Sequence, residues 1–465
     1  AQWSGGHDSG VKSTIDSNLQ LFIESSLESR VRSLASKHVG HAAAVVIDYT
    51  THEVLAWVSV GAGCKESDFT LQNCKVDMVR VPRQPGSALK PFLYAAALSK
   101  GWDAATILDD SPYSDSVGTG IHHVRNYSRS YYGKVTLRSA LGNSLNVPAL
   151  HAIHYVSPSA YLDLLLKLGF SSLNKDADFY DEGLALGNGE VTLFALAQAY
   201  AALANRGVFS PLHVTLQHED NSQQTRIFSD EVASLIGNIL SDPWARSAEF
   251  GRSSVLNLST QTAVKTGTST DYRDAWAVGY NHRYVVAIWM GNADYSPMDG
   301  ITGSLGPALV LRSIFHELSQ YTTTAPLYLS PKLEQREVCI NPEITPHTHP
   351  DCPRRSEYFI RDAVHDRAGD GMPAQEAIQI FRPANGLLMA MDPRVPARTQ
   401  AFEMQLLGVA PNDGVVWEVD GHAYPAIQGS RFLWAMSRGK HHVKARVTHA
   451  DGAVIVTQAR HFEVR

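Results

Sequence analysis

The strand-forming segments of this 465-residue chain fall into widely separated groups, and that separation limits the folds open to it. Early on, Ala42-Ala43-Ala44-Val45-Val46-Ile47 and Val54-Leu55-Ala56-Trp57-Val58-Ser59-Val60 flank a polar link from Asp48 to Glu53 and read as a buried β-hairpin. Three further segments, Gln261 to Thr268, Ala275 to Tyr280 and Tyr284 to Met290, are short, apolar and rich in β-branched or aromatic residues. Between the two groups the texture is helical, most clearly over Ala140 to Ala152, Ala160 to Leu168, Leu193 to Ala204 and Asp230 to Leu240. Ahead of the hairpin, Leu19, Phe22, Ile23, Leu27, Val31 and Leu34 form one apolar stripe of a helix that Asp16 is suited to cap. Pro307 to Leu318 reads as another apolar helix. Strands on both sides of a helical region imply an α+β domain, one antiparallel sheet covered by helices with a helical lobe inserted.

Residues 321–375 are rich in Pro, Thr, His and charge and read as a linker with some stapled structure. Beyond Ala377, Ala401 to Leu406, Gly414 to Gly421, His442 to Val447 and Ala453 to Val456 alternate with turn signals, the pattern of a small β-sandwich. The expected division is a linker remnant at 1–12, the α+β domain at 13–322, a linker region at 323–376 holding Cys339 and Cys352, and a β-sandwich at 377–465. Cys64 and Cys74 form the second close pair; such spacings are too wide for paired zinc ligands and suit local disulfides in an oxidising compartment. A net charge of −6 argues against nucleic acid as a partner, and no apolar run reaches the length of a membrane span. Neighbouring residues point to different sides of an element, so His122-His123 and His441-His442 make no metal face, and neither a metal nor another cofactor is expected.

Ser87 and Lys90 stand three apart where Pro85-Gly86 gives way to the helix-forming run Pro91 to Leu98. Residues three apart share a helix face, so the Lys90 amine can reach the Ser87 hydroxyl. A serine becomes a nucleophile when a neighbouring base takes its proton, and a buried lysine can be that base. Ser144-Leu145-Asn146 follows in the helical lobe, and Lys265-Thr266-Gly267-Thr268 on an expected strand.

Ser-x-x-Lys, Ser-x-Asn and Lys-Thr-Gly in this order form a known signature, and the chain resembles the penicillin-recognising serine acyltransferases. Arg83 to Phe92, Gly187 to Thr192, Ala199 to Asn205 and Lys265 to Ser269 are similar to class A penicillin-binding proteins. Arg273 to Gly279 and the tail after Arg382-Pro383-Ala384-Asn385-Gly386 resemble the penicillin-binding protein 1C type. The resemblance implies a serine transpeptidase fold with a C-terminal immunoglobulin-like domain. It implies a D,D-transpeptidase that crosslinks peptidoglycan stem peptides ending in D-Ala-D-Ala and is acylated by β-lactams. Ser87 would be the nucleophile and Lys90 the base or part of a relay. Ser144 would pass a proton to the leaving amine, Asn146 would bond the substrate amide, and Lys265 would supply positive charge. Thr266, Gly267 and Thr268 would bind substrate, and the amides of Ser87 and Thr268 would form the oxyanion hole. Proteins of this type are held to the inner membrane by an upstream anchor and work in the periplasm, next to a glycosyltransferase domain. The C-terminal domain is expected to meet wall components or partner proteins. Glu182 and Glu190 lack the Leu-Asn that follows the deacylating glutamate of class A β-lactamases and read as structural, while Tyr127, Tyr131 and Tyr132 are candidates to line the donor cleft. A D,D-carboxypeptidase or β-lactamase, and a non-catalytic wall-binding module, remain the alternatives.

Overall fold

A computed structural model of the chain describes residues 11–61, 76–117, 120–216, 224–339, 354–360, 378–383, 386–389, 391, 400–409, 413–425, 430–449 and 452–465. Chain contacts divide it into two compact units, Ala1–Ser111 with Asn126–Ala363, and Pro112–Arg125 with Val364–Arg465.

The first unit is built on a five-stranded antiparallel sheet. From one edge to the other its strands are Glu53–Gly61, His41–Asp48, Tyr284–Gly291, Asp274–Tyr280 and Ala263–Thr268. The early hairpin and the late strands thus interleave: Ala44 sits opposite Ile288, and Trp276 opposite Gly267. Helices cover both faces, so the inner strands are buried along nearly their whole length instead of alternating. On one face Ala42, Ala44, Val46, Val286 and Ile288 pack with Ile23 and Leu27 of helix Ser17–Ser33 and with Leu311 and Ile314 of helix Ala308–Leu318. The N-cap of the first helix is Asp16, whose carboxylate accepts the backbone N–H groups of Asn18 and Leu19. The other face meets helix Leu193–Ala204.

The lobe differs from the sequence reading in two respects: short antiparallel strand pairs, Ile107–Asp110 with Gly133–Thr136 and Val208–Phe209 with Thr225–Arg226, stand among its helices, and its central helix is broken. Ala140 to Ala152 reads as a continuous helix, but the structure has two, Leu137–Gly142 and Val147–Val156, broken by a turn that carries Ser144 at φ +61°. In the segment read as a linker, strands Leu333–Cys339 and Arg354–Ile360 form a hairpin. The buried Glu357 carboxylate takes Arg138 through both Nε, at 2.6 Å, and Nη2, a bidentate pair tying the hairpin to the lobe. Cys339 is disulfide-bonded; Cys352, Cys64 and Cys74 lie outside the described residues.

In the second unit, Gln379–Arg382, Ala401–Leu407 and Arg431–Ala435 make one sheet. Leu387–Met389, Arg460–Val464, Gly439–Thr448, Gly414–Val419 and His422–Pro425 make another, with Val454–Val456 also paired to Gly439–Thr448. Met404, Leu406 and Trp434 from the first share a core with Trp417, Val443, Ala445 and Val447 from the second, the alternate residues of their strands.

Candidate active site

Ser87 lies in a single 3-10 turn, Gly86–Leu89, and Lys90 opens the helix Lys90–Ser99 that follows. Pro91 suits the start of that helix, since its missing N–H falls where no partner is needed. Ser87 is half-buried, whereas Lys90 is completely buried. A buried amine needs acceptors, and Lys90 Nζ donates to the carbonyl oxygens of Ser144 at 2.7 Å and Leu145 at 2.8 Å and to Asn146 Oδ1 at 2.6 Å. All three come from the turn that interrupts the lobe helix. Asn146 immediately precedes helix Val147–Val156, yet its side chain does not cap it; the amide oxygen is committed to Lys90.

Lys265 reaches the same turn from the sheet. Its Nζ donates to Ser144 Oγ at 2.7 Å and to the Thr266 carbonyl at 2.9 Å. The structure therefore brings Lys90, Ser144, Asn146 and Lys265 into one cluster beside the turn that bears Ser87. Burial pushes the Lys90 ammonium well below the usual lysine range; the positive Lys265 adds to this, while Asp110 and Glu249 oppose it. Burial, with a contribution from Arg246, pushes Lys265 down to about 7. Arg246 is itself buried, and the loss of solvation lowers it to about 10.

Ala263–Thr268 is the edge strand of the sheet, so the side turned away from Asp274–Tyr280 carries no ladder. Two glycines let it press on the Ser87 turn. A Cβ on Gly267 would lie 2.1 Å from the Pro85 carbonyl oxygen. Gly86 has φ +54°, and a Cβ there would lie 2.4 Å from the Thr268 oxygen. Only glycine permits both the backbone angle and this approach. Thr266 is buried, and Thr268 Oγ1 accepts the Gly303 N–H at 3.3 Å. A half-buried serine, buried amines and an open strand edge together suit acyl transfer to and from a peptide-like ligand.

Glu182 bonds His154 Nε2 at 3.0 Å, and Glu190 is exposed. Tyr127 is exposed, and the Tyr132 hydroxyl donates to Glu249 Oε1 at 3.0 Å. Three members of the cluster's surroundings went unread in the sequence: Arg246, the buried Asp110, and Asn126, which accepts the Asn146 N–H at 2.8 Å. No motif or periodicity distinguishes these from ordinary loop or strand-end polar residues.

Residues 42–303 match the family described as penicillin binding protein transpeptidase domain. The chain is 30% identical over 384 residues to penicillin-binding protein 1C of Escherichia coli (strain K12), covering 80% of this chain and 48% of that protein. It is 33% identical over 259 residues to penicillin-binding protein 1A of Aquifex aeolicus (strain VF5), covering 53% and 34%. The chain thus spans half or less of the length of these relatives. Among solved structures, penicillin-binding protein 1A from Haemophilus influenzae superposes with a TM-score of 0.58 at 24% identity over 70% of this chain and 54% of that one. PonA1 from Mycobacterium tuberculosis, in a complex with penicillin V, superposes with a TM-score of 0.58 at 22% identity over 69% and 88%. The match over more than half of its length makes this chain a member of the penicillin-binding protein transpeptidase family.

Proposed function

We propose that the chain is a serine D,D-transpeptidase that crosslinks peptidoglycan stem peptides and is acylated by β-lactams. The observation that carries this reading is the convergence of three distant motifs on one turn, with Lys90 on Asn146 at 2.6 Å and Lys265 on Ser144 at 2.7 Å. In the reaction, Ser87 Oγ attacks the carbonyl of the penultimate D-Ala, and its proton passes to the Lys90 amine. Burial keeps that amine poised to accept a proton. The ammonium so formed meets three acceptors already in place, so little reorganisation accompanies the charge. The tetrahedral oxyanion points at the amides of Ser87 and Thr268. Ser144, bridged to Lys265, delivers a proton to the departing D-Ala amine and is reprotonated in turn from the Lys90 ammonium, so the proton taken from Ser87 is balanced by the one that leaves with D-Ala. The acyl-enzyme then passes its peptide to an amine acceptor. The donor peptide lies along Ala263–Thr268 as an added strand, with its carboxylate near Lys265, Thr266 and Thr268 and the Asn146 amide on its backbone.

This activity belongs in the periplasm, on a protein held at the inner membrane. No helix among the described residues is long and apolar enough to cross a membrane. The C-terminal module is read as an immunoglobulin-like domain that binds wall components or partner proteins. The fold neighbour PonA1 holding penicillin V supports a β-lactam site in this fold.

Incubation with benzylpenicillin, followed by intact mass and peptide mapping, tests the reading. The expected result is one adduct on the peptide containing Ser87 that persists over many minutes. Rapid hydrolysis without a lasting adduct would instead assign a β-lactamase.

The charge on Lys265 supplies a second prediction. With a value of about 7, Lys265 is mostly neutral at pH 8 and mostly cationic at pH 6. A bound carboxylate favours the cation and raises its pKa. Non-covalent penicillin binding to the Ser87→Ala variant should therefore take up close to one proton at pH 8 and almost none at pH 6. Calorimetry in buffers of different ionisation heat measures this; no uptake at pH 8 would separate Lys265 from the ligand carboxylate.

A further inference from the structure

We propose that Asp110 and Asn126 are positioning residues for acylation: Asp110 clamps the Asn126 side chain, and Asn126 holds the Ser144–Asn146 turn against Lys90. The inference rests on the acyl-transfer reading above and adds residues that none of the three motifs contains.

Asp110 ends strand Ile107–Asp110 and is fully buried. Its carboxylate accepts Asn126 Nδ2 on both oxygens, at 3.0 and 2.7 Å, and the Tyr132 N–H at 3.0 Å. Asn126 Nδ2 also donates to the Ser130 carbonyl at 2.8 Å. With its NH2 end spent on Asp110 and Ser130, the Asn126 amide has one orientation open to it. Its oxygen faces the Asn146 N–H, the donor at 2.8 Å. An Asn126 free to flip would present NH2 to that N–H and lose the bond.

The turn needs this support from outside. Ser144 has φ +61°, a left-handed conformation disfavoured for a side-chain-bearing residue. Within the segment it is closed by Ser144 N–H to the Leu141 carbonyl at 3.1 Å and Leu145 N–H to the Ala140 carbonyl at 2.9 Å. Those bonds do not fix where its far end points. Asn126 fixes that end at Asn146, the residue whose side-chain oxygen meets Lys90.

The same pair carries charge. Around Lys90 stand Lys265 on the edge strand, Asp110, and Glu249 in the short helix Ser247–Phe250, with Arg246 beside Lys265. Tyr94 and Tyr132 lie close to Asp110. Asp110 is the carboxylate among them that is fully buried, and its charge favours the Lys90 ammonium. Its loss makes Lys90 give up its proton at lower pH.

The test is the acylation rate by fluorescent penicillin from pH 5 to 9 on the parent, Asn126→Ala and Asp110→Asn, with pre-covalent affinity and thermal melting measured alongside. Asn126→Ala should acylate about 100-fold more slowly, as a small misplacement of reacting groups does, with pre-covalent affinity within about threefold of the parent. Asp110→Asn should move the acid limb of the rate profile to lower pH, a displacement that mere loosening of the fold would not produce. Should Asn126→Ala not melt cooperatively, the Asp110→Asn profile decides the matter. Parental rates in Asn126→Ala, or an unmoved acid limb in Asp110→Asn, would overturn the proposal alone. A parent that takes no label would overturn the acyl-transfer reading and this inference together.

Discussion

Ser87→Ala is expected to abolish covalent penicillin labelling while the protein melts within a few degrees of the parent. Loss of a serine nucleophile costs on the order of 10⁶ in acyl transfer, because the remaining groups have no bond to form. The fold should hardly register the change. The turn that carries Ser87 is closed by backbone bonds, Ala88 N–H to the Pro85 carbonyl at 3.2 Å and the Lys90 N–H to the Ser87 carbonyl. Neither uses the hydroxyl, and a half-buried serine of this kind contributes within about 0.5 kcal/mol. Gel fluorescence with a labelled penicillin, paired with a thermal melt, separates the two effects. Undiminished label on the variant would place the nucleophile elsewhere and remove the basis for every role assigned above.

Lys90→Met comes next in size. Methionine keeps the length and apolar stem of the side chain but has no amine to take the Ser87 proton. Loss of a positioned base lowers the acylation rate by roughly 10²–10⁴. A stability effect accompanies it, unlike in Ser87→Ala. The carbonyls of Ser144 and Leu145 and the Asn146 amide oxygen lose their donor, at about 1–3 kcal/mol for a buried acceptor left without a partner. Relief from burying an amine offsets part of that cost. The expected outcome is a cooperative melt at a lower temperature together with a rate loss far beyond what reduced folding explains. Stopped-flow acylation on the folded fraction measures it. A rate within tenfold of the parent would transfer the base role to another group, with the Ser144–Lys265 bridge the next candidate.

Much of the fold was legible because the relevant forces are local. Leu19, Ile23, Leu27 and Val31 recur at helical spacing and are buried together in helix Ser17–Ser33. The hairpin and the late strands announce themselves by apolar β-branched runs, and the structure pairs them in one sheet. The break in the lobe was legible only in part. Ala140, Leu141, Leu145, Val147, Ala149 and Leu150 are spaced as one helix would space them, and that apolar pattern hides the local breakers, Gly142 at the end of the first helix and Pro148 in the first turn of the second. What makes a left-handed Ser144 tolerable lies far away in the chain, in Lys90, Lys265 and Asn126.

The same contrast runs through the candidate site. Residue identity and short spacing picked out the candidate parts: a serine and a lysine three apart at a helix start, a second serine with an asparagine, and a lysine before a glycine on a strand. Those are properties of a few neighbouring residues, and a chain displays them without being folded. Tertiary structure decided which atoms each group meets. It placed Ala263–Thr268 at the sheet edge, pressed it on the Ser87 turn at Gly86 and Gly267, and buried both amines where their affinity for protons falls. It also enlisted Asp110 and Asn126, ordinary polar residues until burial made each of their hydrogen bonds obligatory. Burial and long-range pairing are properties of the closed chain, so no reading of neighbours along the sequence contains them.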